Sequence, residues 1–178
     1  DGTNFDSFGS GSGGGAGINL LKNPGFESGI VAGWSNTGGT FAAVTSGSNL
    51  LIGKGSATFT ASASGQYVES TAYTVPNGIA GTSQSCAGGF LYKGGSANLV
   101  GKIIDGSSNV LGSATLAAST TAVPVKIYFP CPASGSVKIR VESTASSAIV
   151  ALDQMTLGTD LLQQMSASKA YGTSTITA

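Results

Sequence analysis

The sequence predicts an all-β sandwich. Short runs rich in β-branched and aromatic residues recur along the chain at roughly 8–15-residue spacing, each closed by Gly, Pro, Asn or Asp. Within these runs apolar and polar residues alternate, the period of a strand with one buried face. Almost no segment carries the 3.6-residue period of an amphipathic helix.

The elements follow in order. Residues 1–17 read as a flexible leader: Phe5 and Phe8 precede a Gly/Ser run that cannot hold a core. They are expected either to be a disordered end or to hinge the following domain onto a stalk. Leu20 and Leu21 suggest a short apolar strand, followed by a turn at Pro24-Gly25, where Pro fixes φ and Gly tolerates φ > 0. Phe26 and Trp34, the chain's only Trp, then supply the first large pieces of a core.

Further strands are expected over Thr40–Val44 after Gly38-Gly39, Ser56–Ala61 after Gly53-Lys54-Gly55, and Tyr67–Val75 before Pro76-Asn77-Gly78. Ser85–Lys93 stops at Gly94-Gly95, and Asn98–Ile104 turns at Asp105-Gly106-Ser107. Val123–Phe129 stops at Pro130-Cys131-Pro132, and Ser136–Ser143 and Ala148–Leu157 complete roughly nine strands. Beyond Gly158 the spacing of Leu161, Leu162 and Met165 allows a helical turn. Tyr171–Ala178 alternates like a strand at the threshold of a further domain, so 159–178 is expected to be a connector. A start at Asp1 rather than Met likewise suggests a processed or excised piece.

Alternation also assigns faces. Cys86, Gly88, Phe90 and Tyr92 share one side of their strand, and Val123, Val125, Ile127, Phe129 and Cys131 share one side of theirs. Both apolar sets must face the core, so both cysteines point inward. A disulfide is expected, with a free buried pair as the alternative.

Asn19-Leu20-Leu21-Lys22-Asn23-Pro24-Gly25-Phe26-Glu27-Ser28-Gly29, followed by Gly33-Trp34, resembles the opening of the jelly-roll carbohydrate-binding modules, a branch of the galactose-binding-like sandwiches. Gly53–Phe59 resembles the second conserved turn and strand of that family, and Ala151–Gly158 its closing strand with a hydrophobic-Asp-x-hydrophobic ending. The resemblance covers residues 18–158 and implies a jelly-roll sandwich there. It also implies a structural calcium held by Glu27 and Asp153, with carbonyls from the region of Lys54. The alternative pairs Glu27 with Lys22 or Lys54 and leaves Asp153 capping a turn. More loosely, the Gly-rich leader and stranded tail resemble phage tail fibres and the adhesive fibres of predatory bacteria, where such modules commonly occur as homotrimers.

Composition excludes several functions. Eight basic and eight acidic residues cancel, which gives no electrostatic pointer to nucleic acid or an anionic membrane. No apolar run reaches the length of a membrane-spanning helix. The chain has no His, which rules out Ser-His-Asp and Cys-His catalysis and makes a zinc site untenable. Glu27, Glu69, Asp105, Glu142, Asp153 and Asp160 form no paired-carboxylate motif, and Asp105 in Asp-Gly-Ser belongs to a turn.

The chain is therefore expected to be a non-catalytic module that binds cell-surface glycan. Its setting would be an extracellular fibre, adhesin or virion tail, with Tyr67, Glu69, Lys126 and Tyr128 as contacts if they share a concave sheet. The alternative is a spacer that sets fibre length and trimer geometry without binding sugar.

Overall fold

The computed structural model describes residues 21–74, 85–132, 135–145 and 148–159. These form eleven strands in two antiparallel sheets, a β-sandwich, with no helix among the described residues. The strands are β1 (Trp34–Thr37), β2 (Thr40–Val44), β3 (Ser56–Ala61), β4 (Tyr67–Ser70), β5 (Tyr73–Thr74) and β6 (Ser85–Gly94). They continue with β7 (Leu99–Asp105), β8 (Val110–Thr115), β9 (Ser119–Pro130), β10 (Ser136–Ser143) and β11 (Ala148–Thr159). The first sheet runs β1-β4-β10-β7-β8, with β5 also on β10, and the second runs β2-β3-β11-β6-β9.

The expected faces hold wherever a strand is uninterrupted. Along β10, Val137, Ile139, Val141 and Ser143 are buried while Ser136, Lys138, Arg140 and Glu142 alternate with them. The core forms where this side of the first sheet meets Phe59, Phe90, Ile127, Val150, Leu152 and Leu157 of the second. Removing each such side chain from water contributes about 1.5–3 kcal/mol. The edge strands β8 and β9 close against each other: a Cβ on Gly112 would stand 2.5 Å from the carbonyl oxygen of Tyr128. Only a residue without a side chain fits there.

Cys86 and Cys131 are both buried and joined by a disulfide with Cα atoms 5.0 Å apart. Cys86 lies opposite Phe129 in the β6–β9 ladder, so the bond ties neighbouring strands of one sheet.

Several expectations are corrected. Leu21 is buried but belongs to no strand, because the chain turns at once into the Asn23–Gly29 loop. The strand expected from Tyr67 onward breaks after Ser70, and Tyr73–Thr74 pairs separately with β10. Two strands, β1 and β8, were not anticipated, and β9 begins at Ser119 rather than Val123. The leader (1–17), the turn at Pro76-Asn77-Gly78 and the connector beyond Thr159 lie outside the described residues.

Candidate functional site

Two constellations combine polar chemistry with burial. The first sits at one end of the sandwich, where the opening loop, the 51–56 turn and a bulge in β11 converge. The loop is bent tightly: Asn23 and Phe26 have φ of 50° and 53°, and the Asn23 side-chain amide donates to the Ile30 carbonyl at 2.7 Å. Asn accepts this left-handed conformation readily, whereas Phe does so at a cost of order 1 kcal/mol. Packing holds Phe26 in place. Its ring is fully buried, 5.6 Å from Trp34 and 5.9 Å from Phe41. The β11 ladder shifts register between Asp153 and Thr156, Gln154 takes φ 47°, and Met155 N–H donates to the Pro24 carbonyl at 2.8 Å.

That bulge delivers Asp153. Its carboxylate is fully buried and accepts from Gln154 N–H at 2.7 Å, Ser56 Oγ–H at 3.0 Å and Ile52 N–H at 3.1 Å. Glu27 accepts from Lys54 N–H at 2.6 Å. A Cβ placed on Gly25 would lie 3.7 Å from both Asp153 Oδ1 and Glu27 Oε1, so the two acids line one small space that a side chain would fill. The 51–56 turn fits closely around it: a Cβ on Gly55 would stand 2.0 Å from the Phe26 carbonyl oxygen. Burial pushes Asp153 above the usual carboxylate range, and the charge of Glu27 adds to the rise against three hydrogen bonds that oppose it. Among the described residues neither acid has an ion-pair partner, and no third acid or Cys joins them.

The two carboxylates offer hard oxygens close together. Glu27 and Asp153 are the residues that could serve a hard cation such as calcium as carboxylate ligands, while the 51–56 turn meets them with the N–H groups of Ile52 and Lys54.

The second constellation covers the outer face of the first sheet. Register places Ser35, Glu69, Arg140, Lys102 and Ser113 in one row across five strands, beside a row of Thr37, Tyr67, Glu142, Val100 and Thr115. Arg140, the chain's only arginine, donates from Nε and Nη2 to Glu69 Oε2 at 2.9 and 2.6 Å, and Lys138 donates to Glu69 Oε1 at 2.7 Å. Lys102 pairs with Glu142 at 2.9 Å, and Arg140 Nη1 approaches the other Glu142 oxygen at 3.6 Å. The Arg140 guanidinium also lies 3.8 Å from the centroid of the Tyr67 ring, a cation–π stack.

Burial alone would raise the Glu69 carboxyl, but hydrogen bonds from Lys138 and Arg140 outweigh it and hold the group below its usual 4.5. A depressed carboxylate stabilises the fold fully above its unfolded value and loses that contribution as pH falls through its folded one. Glu69→Gln is therefore expected to flatten the acid limb of a melting-temperature profile below about pH 4.5. An unchanged acid limb would show that the network does not hold this charge.

Tyr67 and Glu69, which share parity in the sequence, lie on one outer face, yet Lys126 and Tyr128 do not join them. Those two stand on β9, on the outer face of the opposite sheet, so no single cleft holds all four. There Tyr128 is 53% exposed, with Lys126 Nζ 4.8 Å from its ring centroid. Strand alternation separates in from out but is blind to which sheet a strand joins. Lys102, Lys138, Arg140 and Glu142 were missed. Their signal was present: β10 carries charges at alternate positions in a chain where charged residues make up only 9%.

No family model matches the chain, and no curated protein matches it. Solved structures do. The chain aligns over 80% of its length with TmCBM61, described in complex with β-1,4-galactotriose, at 22% identity and a TM-score of 0.58, covering 99% of that chain. The CBM22-1 xylan-binding domain from Paenibacillus barcinonensis Xyn10C aligns over 83% of this chain and 97% of its own, at 18% identity and a TM-score of 0.58. The fold is that of the jelly-roll carbohydrate-binding modules. The same jelly roll matches the enzymatically active domain of bacteriophage CBA120 tailspike protein 4 at 15% identity and a TM-score of 0.59. There the alignment takes in 80% of this chain but only 22% of the tailspike chain.

Proposed function

We propose that this jelly roll is a non-catalytic glycan-binding module whose ligand lies on the outer face of the first sheet. The observation that carries this reading is the row of partly buried, hydrogen-bonded charges centred on Glu69 and Arg140. Buried polar groups held in fixed geometry are the means by which shallow sites select among sugar hydroxyls. The carbohydrate-binding modules of the same fold support the reading. Glu69 and Glu142 do not make a glycosidase pair. Cations hold Glu69 ionised, and Glu142 is ion-paired to Lys102, so the two do not stand free on either side of a glycosidic bond.

A single open site of this kind gives millimolar affinity, about −4 kcal/mol, and becomes useful through repetition. In a trimeric extracellular fibre, adhesin or virion tail, effective concentration would raise avidity by roughly 10²–10⁴. The module's role there is attachment to cell-surface glycan. Glycan-array binding by the protein, with NMR shifts mapping to β4, β7 and β10, is the expected result. Tyr67→Ala should weaken the response while Tyr128→Ala leaves it intact. A silent array, with no shifts at high sugar concentration, would favour a spacer. That second reading draws on Ile149 and Tyr128, 56% and 53% exposed on the opposite sheet, as a face available for packing in a fibre.

Calcium at Glu27 and Asp153 completes the proposal, with the ion locking the opening loop to β11. Chelator is expected to lower the melting temperature, and Asp153→Asn should remove that sensitivity. A chelator-insensitive melt would leave Asp153 as a turn-capping group alone.

A further inference from the structure

The charged row on the first sheet says more about its ligand than that it is a sugar. We propose that the site takes an acidic glycan, one whose sugar units carry a carboxylate. The inference rests on the glycan-binding assignment above and adds the chemical class.

Within the two rows Lys102 and Arg140 balance Glu69 and Glu142, and the next row adds Lys138, in register with Ile104 and Val110. The patch therefore keeps one positive charge in surplus. Its side chains are only 10–28% exposed, which screens that charge less than bulk water would.

Hydrogen-bonding capacity leans toward donors. Glu69 has three N–H groups on its oxygens, two from Arg140 and one from Lys138, whereas Glu142 is ion-paired to Lys102 and its other oxygen stands 3.6 Å from Arg140, beyond hydrogen-bond reach. Each lysine ammonium, by contrast, has three donors and spends one on its carboxylate. A surface with spare charged donors complements a group that only accepts, and an ionised carboxylate is such a group.

The aromatic platform serves either class of sugar. Tyr67 is the only aromatic in the two rows, and Arg140 lies on its ring at 3.8 Å. A uronate stacks on such a ring by the same apolar face as a neutral pyranose, so this platform bears on sugar binding and not on the charge of the sugar.

The test compares trigalacturonate with its fully methyl-esterified form, which differ in charge and little else, by calorimetry and NMR on the full chain at low and moderate salt. The acid is expected to bind at least tenfold more tightly than the ester, and the difference should shrink as salt rises. Lys138→Gln and Lys102→Gln should each reduce that preference several-fold, with a melt confirming that the variants fold. Equal binding of acid and ester, or a preference unmoved by salt and by both substitutions, would overturn the inference. If neither galacturonate form binds but a neutral oligosaccharide shifts β10 resonances, the acidic assignment falls and the glycan-binding one stands. If no sugar shifts them, both fall.

Discussion

Replacing Cys86 and Cys131 together by Ala is expected to lower stability by about 3–4 kcal/mol in the chain-entropy view of cross-links. For a protein of this size that corresponds to a melting temperature lower by on the order of 10 °C. The bond joins β6 to the residue just past β9, closing a loop with a sequence separation of 45 that contains β7 and β8. Without it the unfolded chain gains freedom, while the native strands keep their ladder from Ser85–Pro130 to Gly94–Ser119. Ala is the appropriate probe because both sites are buried and a Ser hydroxyl would need a partner there. Calorimetric melts of the oxidised protein and the double variant measure the effect. A difference under about 2 °C would mean that the bond adds little to a sheet already held by packing.

Phe26→Ala should cost about as much or more, roughly 3–5 kcal/mol. The ring is fully buried and packs against both Trp34 and Phe41, so its loss opens a cavity and removes two aromatic contacts. Phe26→Gly separates two contributions. It creates a larger void but frees the backbone at φ 53°, so it should be less damaging relative to Ala than glycine usually is. Denaturant titrations of the two variants give the comparison. If Ala costs less than about 1 kcal/mol, the opening loop is held by its hydrogen bonds rather than by its aromatic core.

Most strands were legible because one face of each packs on the core, and period-two alternation records that directly. Elements with little to bury left weaker marks. β1 contributes Trp34 and then three exposed polar residues, and β8 is built largely from Gly, Ser, Ala and Thr. The break at Thr71-Ala72 was invisible, and it puts Tyr67 outside and Tyr73 against the core despite their equal parity. Glu27 and Asp153 were paired by motif resemblance, and both lie within van der Waals reach of a Cβ placed on Gly25. The Glu69–Arg140 network needed the third dimension, since it depends on β4 and β10 being neighbours although some seventy residues part Glu69 from Arg140.

The order of the strands bears on how the molecule comes to exist. β3 pairs with β11, and β4 lies between β1 and β10, so the early strands wait for the last ones. Ala57 meets its partner Leu152 only after nearly the whole domain has been made. At a synthesis rate of roughly 5–20 residues per second, β2 and β3 spend about 5–20 s without the strand that completes their sheet. Non-local pairing of this kind belongs to the slow end of single-domain folding, in milliseconds to seconds once the chain is complete. The middle of the chain is better placed, since β7–β8 is a local hairpin and β6–β9 closes around it. This central block has the lowest loop-closure cost in the sandwich, so φ-values are expected to be highest in β6 to β9 and low in β2, β3 and β11.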